Sequence, residues 1–279
     1  MAETPSALVI GCGYLGLEVA RRLITRGWRV RGTSRREERL ASLSAHGVEG
    51  VALDLARPGD SRAWDGRCTA AIYSVAPGRD GDPRLGFHDG ALAALERVPL
   101  EGPFIYVSST GVYAQSDGSE VDETSPAEPG ETRHRWLRRA EEQVLSRPRP
   151  GVVLRVGGLY GPGRSPLEWV GRREFRARLG VRRGAAFMNW VHVEDAADAI
   201  ALAVTRAPGG TLLDITDGSP VRRREFFGLA AELAGVEPIA FDDGAVDLGK
   251  RCTSRRARGV LGFAPRYPSF REGLTALAG

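Results

Sequence analysis

The segment ALVIGCGYLG, Ala7 to Gly16, constrains the fold more than any other. Its apolar run reads as a buried strand. GCGYLG then leads into LEVARRLITRG, an amphipathic helix closed by Gly27. In a strand–turn–helix of this kind the first glycine permits a tight turn. The second lets backbone approach a pyrophosphate, and the third lets helix and strand pack closely. The helix N-terminus adds backbone N–H donors and a positive dipole end. A lone GxGxxG is a weak signal, but this one heads a series of βα units. That context makes Gly11, Gly13, Tyr14, Leu15 and Gly16 a dinucleotide-binding loop.

The series continues with strands RVRGTS (Arg29 to Ser34) and GVALDL (Gly50 to Leu55), then TAAIYSVA (Thr69 to Ala76), PFIYVSST (Pro103 to Thr110) and GVVLRVGG (Gly151 to Gly158). Helical stretches separate them. Repeated βα units with apolar strands predict an α/β fold: a Rossmann-type, doubly wound parallel sheet covered on both faces and wound right-handed. After Tyr160 the rhythm changes, so residues 1–160 are expected to form the nucleotide-binding domain. Residues 161–279 are expected to form a smaller C-terminal α/β substrate part, with a hinge and not a flexible tether between them. AAFMNWVHV (Ala185 to Val193) reads as one strand and Val193 to Ala207 as a helix. The stretch at about 187–206 is expected to complete the sheet.

Composition excludes several classes. The net charge of +4 is small for 279 residues, and the arginines are scattered among acids, which argues against nucleic acid as a partner. Cys12, Cys68 and Cys252 lie far apart without CxxC spacing, so neither a disulfide framework nor a metal site is expected. No stretch reaches the roughly 20 apolar residues that span a bilayer, and MAETPSALVIG lacks a basic region ahead of an apolar core. A soluble, cytoplasmic protein acting on a small molecule is expected.

The cofactor's type is written at the end of the second strand. An NAD-preferring site usually carries an acid there for the ribose 2′-OH, and GTSRRE offers Ser34, Arg35 and Arg36 instead. A hydroxyl and two guanidinium groups suit a 2′-phosphate, which favours NADP with NAD as the alternative. The arginines also fit a plain role solvating a helix start. Asp54 is either a partner for the adenine amino group or a cap for the next turn. Ser74, Val75 and Ala76, at the end of the following strand, complete the cofactor-binding candidates.

YVSSTGVYA (Tyr106 to Ala114), GCGYLG, VDETSPAEP (Val121 to Pro129), LRVGGLYGPGR (Leu154 to Arg164) and NWVHVEDAADAI (Asn189 to Ile200) together resemble the extended and atypical short-chain dehydrogenase/reductases. These are often labelled NAD-dependent epimerase/dehydratase. The ending, Gly249 to Leu274, also resembles that group. The resemblance implies that a hydroxyl after the fifth strand bonds the reacting substrate oxygen, and it matches Ser109, with Ser108 and Thr110 as close alternatives. It implies too that WVHVED, with His192 and Asp195, ties the cofactor part to the substrate part, although capping explains Asp195 equally well. Thr110, Tyr113 and Arg164 become substrate-contact candidates. Arg164, with Arg155 bordering the same LYGPG loop, would clamp an anionic group or lie on the surface. The family allows a homodimer.

The family's Tyr-x-x-x-Lys proton-transfer pair is missing. None of the six tyrosines is followed four residues later by lysine, and Lys250 is the only lysine in the chain. The family separation places His134 and Arg138 at the two positions. Histidine is a good general acid or base near neutral pH. Arginine cannot transfer a proton but can hold a ribose hydroxyl or an oxyanion. At a spacing of four the two share a helix face. A neighbouring cation and the helix N-terminus both disfavour imidazolium, which suits neutral His134 to the role of base. Against this, Glu131 with Arg135 and Arg138 with Glu142 are spaced for ordinary ion pairs. Two functions remain open. One is an NADP-dependent oxidoreductase or epimerase/dehydratase-like enzyme acting on a small polar, sugar-like carbonyl or alcohol. The other is a non-catalytic NAD(P)-binding sensor or scaffold.

Overall fold

The computed structural model describes residues 3–57, 59, 61–76, 81–149, 151–180, 183–241 and 247–279. The elements begin with β1 (Ser6–Ile10), α1 (Tyr14–Thr25), β2 (Arg29–Ser34), α2 (Glu37–Ser44), β3 (Glu49–Ala52), β4 (Ala70–Tyr73), α3 (Gly90–Arg97) and β5 (Phe104–Ser109). Next come β6 (Asp117–Val121), α4 (Thr132–Leu145), β7 (Val152–Val156), β8 (Gly158–Tyr160), α5 (Pro166–Gly171), α6 (Arg173–Gly180), β9 (Phe187–Met188) and β10 (Trp190–His192). The chain ends through α7 (Val193–Arg206), β11 (Leu212–Ile215), β12 (Val221–Arg222), α8 (Arg223–Leu233), β13 (Gly249–Cys252), α9 (Arg255–Leu261) and α10 (Phe270–Ala278).

Seven strands form one parallel sheet in the order β3-β2-β1-β4-β5-β7-β11. Leu8 of β1 lies between Arg31 of β2 and Ala71 of β4. Every residue of β4, and β1 from Ala7 to Ile10, is buried, as a sheet covered on both faces requires. That is why these strands read as continuous apolar runs. The strand order reverses at β1, which puts the switch point of the doubly wound sheet between the ends of β1 and β4.

Residues cluster into two compact units. The first comprises Met1–Val112, Glu128–Arg155 and Ala197–Leu212. In it, the buried Tyr73 and Tyr106 donate to the carbonyls of Gly86 and Phe87, at 2.6 and 2.8 Å. Those carbonyls belong to a π-helical turn, Arg84–Asp89, that leads into α3. The second unit comprises Tyr113–Ala127, Val156–Ala196 and Leu213–Gly279. It holds a four-stranded sheet, β12-β9-β13-β6, the pair β10-β8, and an aromatic core around Tyr160, Trp190, Phe226 and Phe270.

Two expectations change here. The stretch 187–206 supplies two short strands and α7, and the sheet's last strand is β11. AAFMNWVHV is not one strand, because Asn189 interrupts it. The Asn189 side chain donates to Lys250 O and accepts from Cys252 N, at 3.0 and 2.7 Å. One side chain thus takes over the pairing with β13, and β9 and β10 join different sheets. Strand β6 had no sequence signal: Asp117–Val121 is DGSEV, short and polar. Among the described residues, no helix is long and apolar enough to cross a membrane.

Candidate active site

The glycine loop lies at the switch point. Gly11 has φ +84°, a left-handed conformation that favours glycine, and a Cβ there would come within 2.9 Å of Ser74 O and Val75 Cγ2. A Cβ on Gly16 would overlap the carbonyl oxygen of Gly11. Gly13 differs: a Cβ there would meet nothing closer than Gly11 O at 4.0 Å, so the space above it is open. It caps α1 without a side-chain bond, leaving the first-turn N–H groups of α1 directed at that space. An open approach, a tight turn and an uncapped helix start fit a dinucleotide pyrophosphate. Ser74 and Val75 form the other wall of the turn, with Ser74 N donating to Ile10 O at 2.8 Å and Ala76 exposed beyond them.

Thr33 and Arg39 hold this loop from below. Thr33 Oγ1 accepts from Gly11 N at 3.0 Å. Arg39, on α2, donates to Cys12 O and Gly13 O at 3.2 and 2.9 Å. Arg39 was missed in the sequence because nothing local marks an arginine that bonds backbone 26 residues away. Ser34 Oγ accepts from Arg36 N at 3.1 Å in the turn ahead of α2, while the Arg35 and Arg36 side chains are exposed. Asp54 accepts from Ala56 N at 3.1 Å, the turn-capping arrangement. Cys12 is buried in the loop, which raises its thiol pKa to about 11 and keeps it protonated.

At the end of β5 the three hydroxyls diverge. Ser108 is buried and donates to Glu141 Oε1 at 2.6 Å. Thr110 is also buried. Ser109 is half-buried, and its Oγ accepts from Gly111 N at 3.1 Å. Against the Cα of Gly111 lies the His134 ring: a methyl on Gly111 would overlap Nε2 and stand 2.8 Å from Cδ2. Ser109 and His134 therefore meet at one glycine. The opposite ring nitrogen, Nδ1, is 3.5 Å from Glu131 Oε2, and the side chain is 24% exposed.

The remaining α4 charges are sorted by burial. Glu131 pairs with His134, not with Arg135, which donates instead to Pro129 O and Gly130 O at 3.3 and 2.7 Å. Arg138 is 3.3 Å from Glu142 and 3.7 Å from Glu141. Glu141 is fully buried and takes a two-point bond from Arg155, at 3.0 and 2.7 Å. Arg155 therefore does not border the LYGPG loop as an open cation; it is a buried ion-pair partner inside β7. The visible signal was an arginine within the apolar run VVLRV.

In the second unit, Tyr113 is buried and its hydroxyl is 2.8 Å from Asp122 O and 3.0 Å from both Asp214 oxygens. Its own carbonyl accepts from Lys250 Nζ at 2.6 Å, so the single lysine is spent on backbone. Arg164 occupies an exposed turn in which its N–H donates to Gly161 O at 3.0 Å. His192 is buried and Nδ1 accepts from Glu194 N at 3.3 Å. Asp195 receives Arg266 N and Tyr267 N at 2.7 and 3.0 Å. Burial raises the Asp217 carboxyl to about 7, with nearby Asp195 adding to the effect. Among the described residues, no three or more His, Cys, Asp or Glu gather in a way that would hold a metal ion.

Comparison with known proteins follows this geometry. The family model "NAD dependent epimerase/dehydratase family" matches residues 7–215. Protein YeeZ of Escherichia coli K12 is 32% identical over 275 residues, covering 93% of this chain and 95% of that protein. A 4-hydroxy-2-methyl-3-oxo-4-farnesyl-3,4-dihydroquinoline-1-oxide ketoreductase of Stigmatella aurantiaca is 27% identical, covering 81% of this chain and 72% of that one. Among solved structures, a conserved protein of unknown function from Silicibacter pomeroyi superposes with a TM-score of 0.80 at 34% identity, covering 98% of both chains. The glycine loop at the switch point and a match spanning most of the chain agree: this protein belongs to the NAD-dependent epimerase/dehydratase family.

Proposed function

We propose that the chain is an NADP-dependent oxidoreductase acting on a small polar carbonyl or alcohol, with His134 in place of the family's tyrosine. The observation that carries this reading is the convergence of Ser109 Oγ and the His134 ring on Gly111. Gly11, Gly13 and the first turn of α1 would hold the pyrophosphate, with Tyr14, Leu15 and Gly16 in that turn and Ser74, Val75 and Ala76 opposite. Ser34, Arg35 and Arg36 would receive the 2′-phosphate, which the absence of an acid at this position supports. The bound nicotinamide supplies a hydride acceptor or donor at C4.

Ser109 holds the reacting oxygen by a hydrogen bond. His134 Nε2 accepts the proton when the alcohol is oxidised and returns it when the carbonyl is reduced, so each hydride crosses with one proton. Glu131 beside Nδ1 orients the ring with Nε2 toward Gly111 and supports the imidazolium formed on proton uptake. Arg138, one turn along α4, contributes fixed positive charge. Thr110, next to Ser109, borders the path of the substrate in this reading, while Tyr113 is held by Asp214 inside the second unit and is not an acid.

One observation favours a second reading. Arg138 is engaged by Glu141 and Glu142, and a cation held by acids is weakly suited to a ribose. A non-catalytic NADP-binding sensor fits that arrangement. Titration of NADPH and NADH, followed by hydride-transfer assays on a carbonyl and alcohol panel with wild type, Ser109→Ala and His134→Gln, separates the two. The enzyme reading expects tighter NADPH than NADH binding, and losses of about 100-fold in turnover for His134→Gln with cofactor affinity retained. Binding without turnover across the panel establishes the sensor. Turnover indifferent to His134→Gln removes that residue from the reaction.

A further inference from the structure

A cavity of about 380 Å³ lies wholly within the second unit, lined among others by Arg251, Arg255, Arg258, Glu120 and Phe187. Its size falls at the lower end of small-molecule pockets, which run from roughly 300 to 1,000 Å³. Three guanidinium groups face one carboxylate, so the charged side chains of its wall carry a net charge of +2. Nothing in the proposed hydride-transfer site uses any of them.

The arginines are positioned before any ligand arrives. Arg251 Nε donates to Gly118 O at 2.8 Å, and its guanidinium carbon stands 5.6 Å from the Phe187 ring centre. Arg222 covers the same ring at 4.7 Å, so Phe187 is flanked by two cations. Arg258 Nη2 donates to Asp217 O at 3.0 Å. Each of these anchors engages one of the five N–H donors a guanidinium carries. Backbone anchoring lowers the ordering cost of binding, and a planar fork matches phosphate oxygens two at a time. Arg255 is held differently: its Nη2 is 2.6 Å from Glu120 Oε1, and both side chains are largely exposed. Glu120 therefore occupies the position an incoming anion would take on Arg255.

We propose that this cavity binds the phosphoryl end of a small phosphorylated metabolite, with Arg251, Arg255 and Arg258 as its ligands and Glu120 as the competing internal anion. A phosphate ester carries close to two negative charges near neutral pH, which balances the wall. The cavity is larger than a bare phosphate needs, so the ester's organic portion is accommodated too.

Calorimetric titration of the full chain with ribose 5-phosphate, ribose and inorganic phosphate tests this. Ribose 5-phosphate is expected to bind at least tenfold more tightly than ribose. Arg251→Gln and Arg255→Gln are each expected to weaken it about tenfold, and Glu120→Gln to tighten it several-fold. The Arg255–Glu120 pair is exposed, so its variants fold normally, and their thermal melts check this. Arg258, bonded to backbone, is left intact. Because phosphate also suits the glycine loop, Gly13→Val is titrated in parallel. Binding lost in Gly13→Val but unchanged in the arginine variants assigns the phosphate to the loop and overturns the proposal. So does Glu120→Gln that leaves affinity unchanged or lowers it, or an absence of binding by every probe.

Discussion

Gly111 is where the candidate chemistry is most exposed to a single atom. Alanine there would overlap His134 Nε2, so the ring, which is also held near Glu131, must shift from its place beside Gly111. Gly111→Ala is expected to lower turnover at least about tenfold while NADPH affinity stays within twofold, read by steady-state kinetics beside a binding titration. Asp217 gives a prediction in pH. Its carboxyl titrates near 7 in the folded protein against 3.8 ordinarily, so the folded state holds the proton more tightly. Stability is fully present below about 4 and is lost as pH rises through about 7. Asp217→Asn keeps an acceptor for Ser219 N, bonded at 2.8 Å, and removes the titration. Its Tm is expected to vary less than wild type between pH 4 and 8, and to exceed it at pH 8. At this scale the sequence was readable where backbone geometry follows spacing: the glycine turn at the end of β1 was legible. The roles of Arg39 and Lys250 were not, because their partners lie 26 and 137 residues away and no local pattern encodes them, and the partner of Arg155 lies 14 residues away on another element.

At the scale of elements, α4 couples site and scaffold along one face. His134 faces Gly111, while Glu141 two turns later turns inward to Arg155 of β7 and Ser108 of β5. Removing one partner of a buried pair leaves an uncompensated charge, so Glu141→Gln is expected to cost about 3 kcal/mol in a denaturant melt. Replacing both partners by apolar residues of similar volume is expected to recover much of that loss. Strands β1 and β4, and most of β5 and β7, were legible because burial on both faces demands apolar runs. The break between β9 and β10 was not. It is made by the amide of one asparagine, a residue as common in turns as anywhere else.

For the whole molecule, alternation of strands and helices announced the doubly wound sheet, and the structure has it. The edge of that sheet was misjudged because β11 is only four residues long and lies more than fifty residues beyond β7. The first unit draws its last segment from Ala197–Leu212, whose helix α7 buries Ala197, Ala199, Ile200, Ala201 and Ala203. A fragment ending at residue 160 lacks that apolar face, and its circular-dichroism melt is expected to show no cooperative transition; a sharp transition would count against this. The chain's repeated passage between its two units also has a consequence during synthesis. Neither unit is a continuous stretch of polypeptide, so the ribosome delivers the glycine loop long before the segment that closes its own unit. The nascent chain must hold Met1–Val112 open until residue 212 emerges, and the second unit until nearly the last residue. Chain elongation thereby becomes a clock for folding, and a pause in translation after residue 155 prolongs the interval in which apolar strands lack their cover.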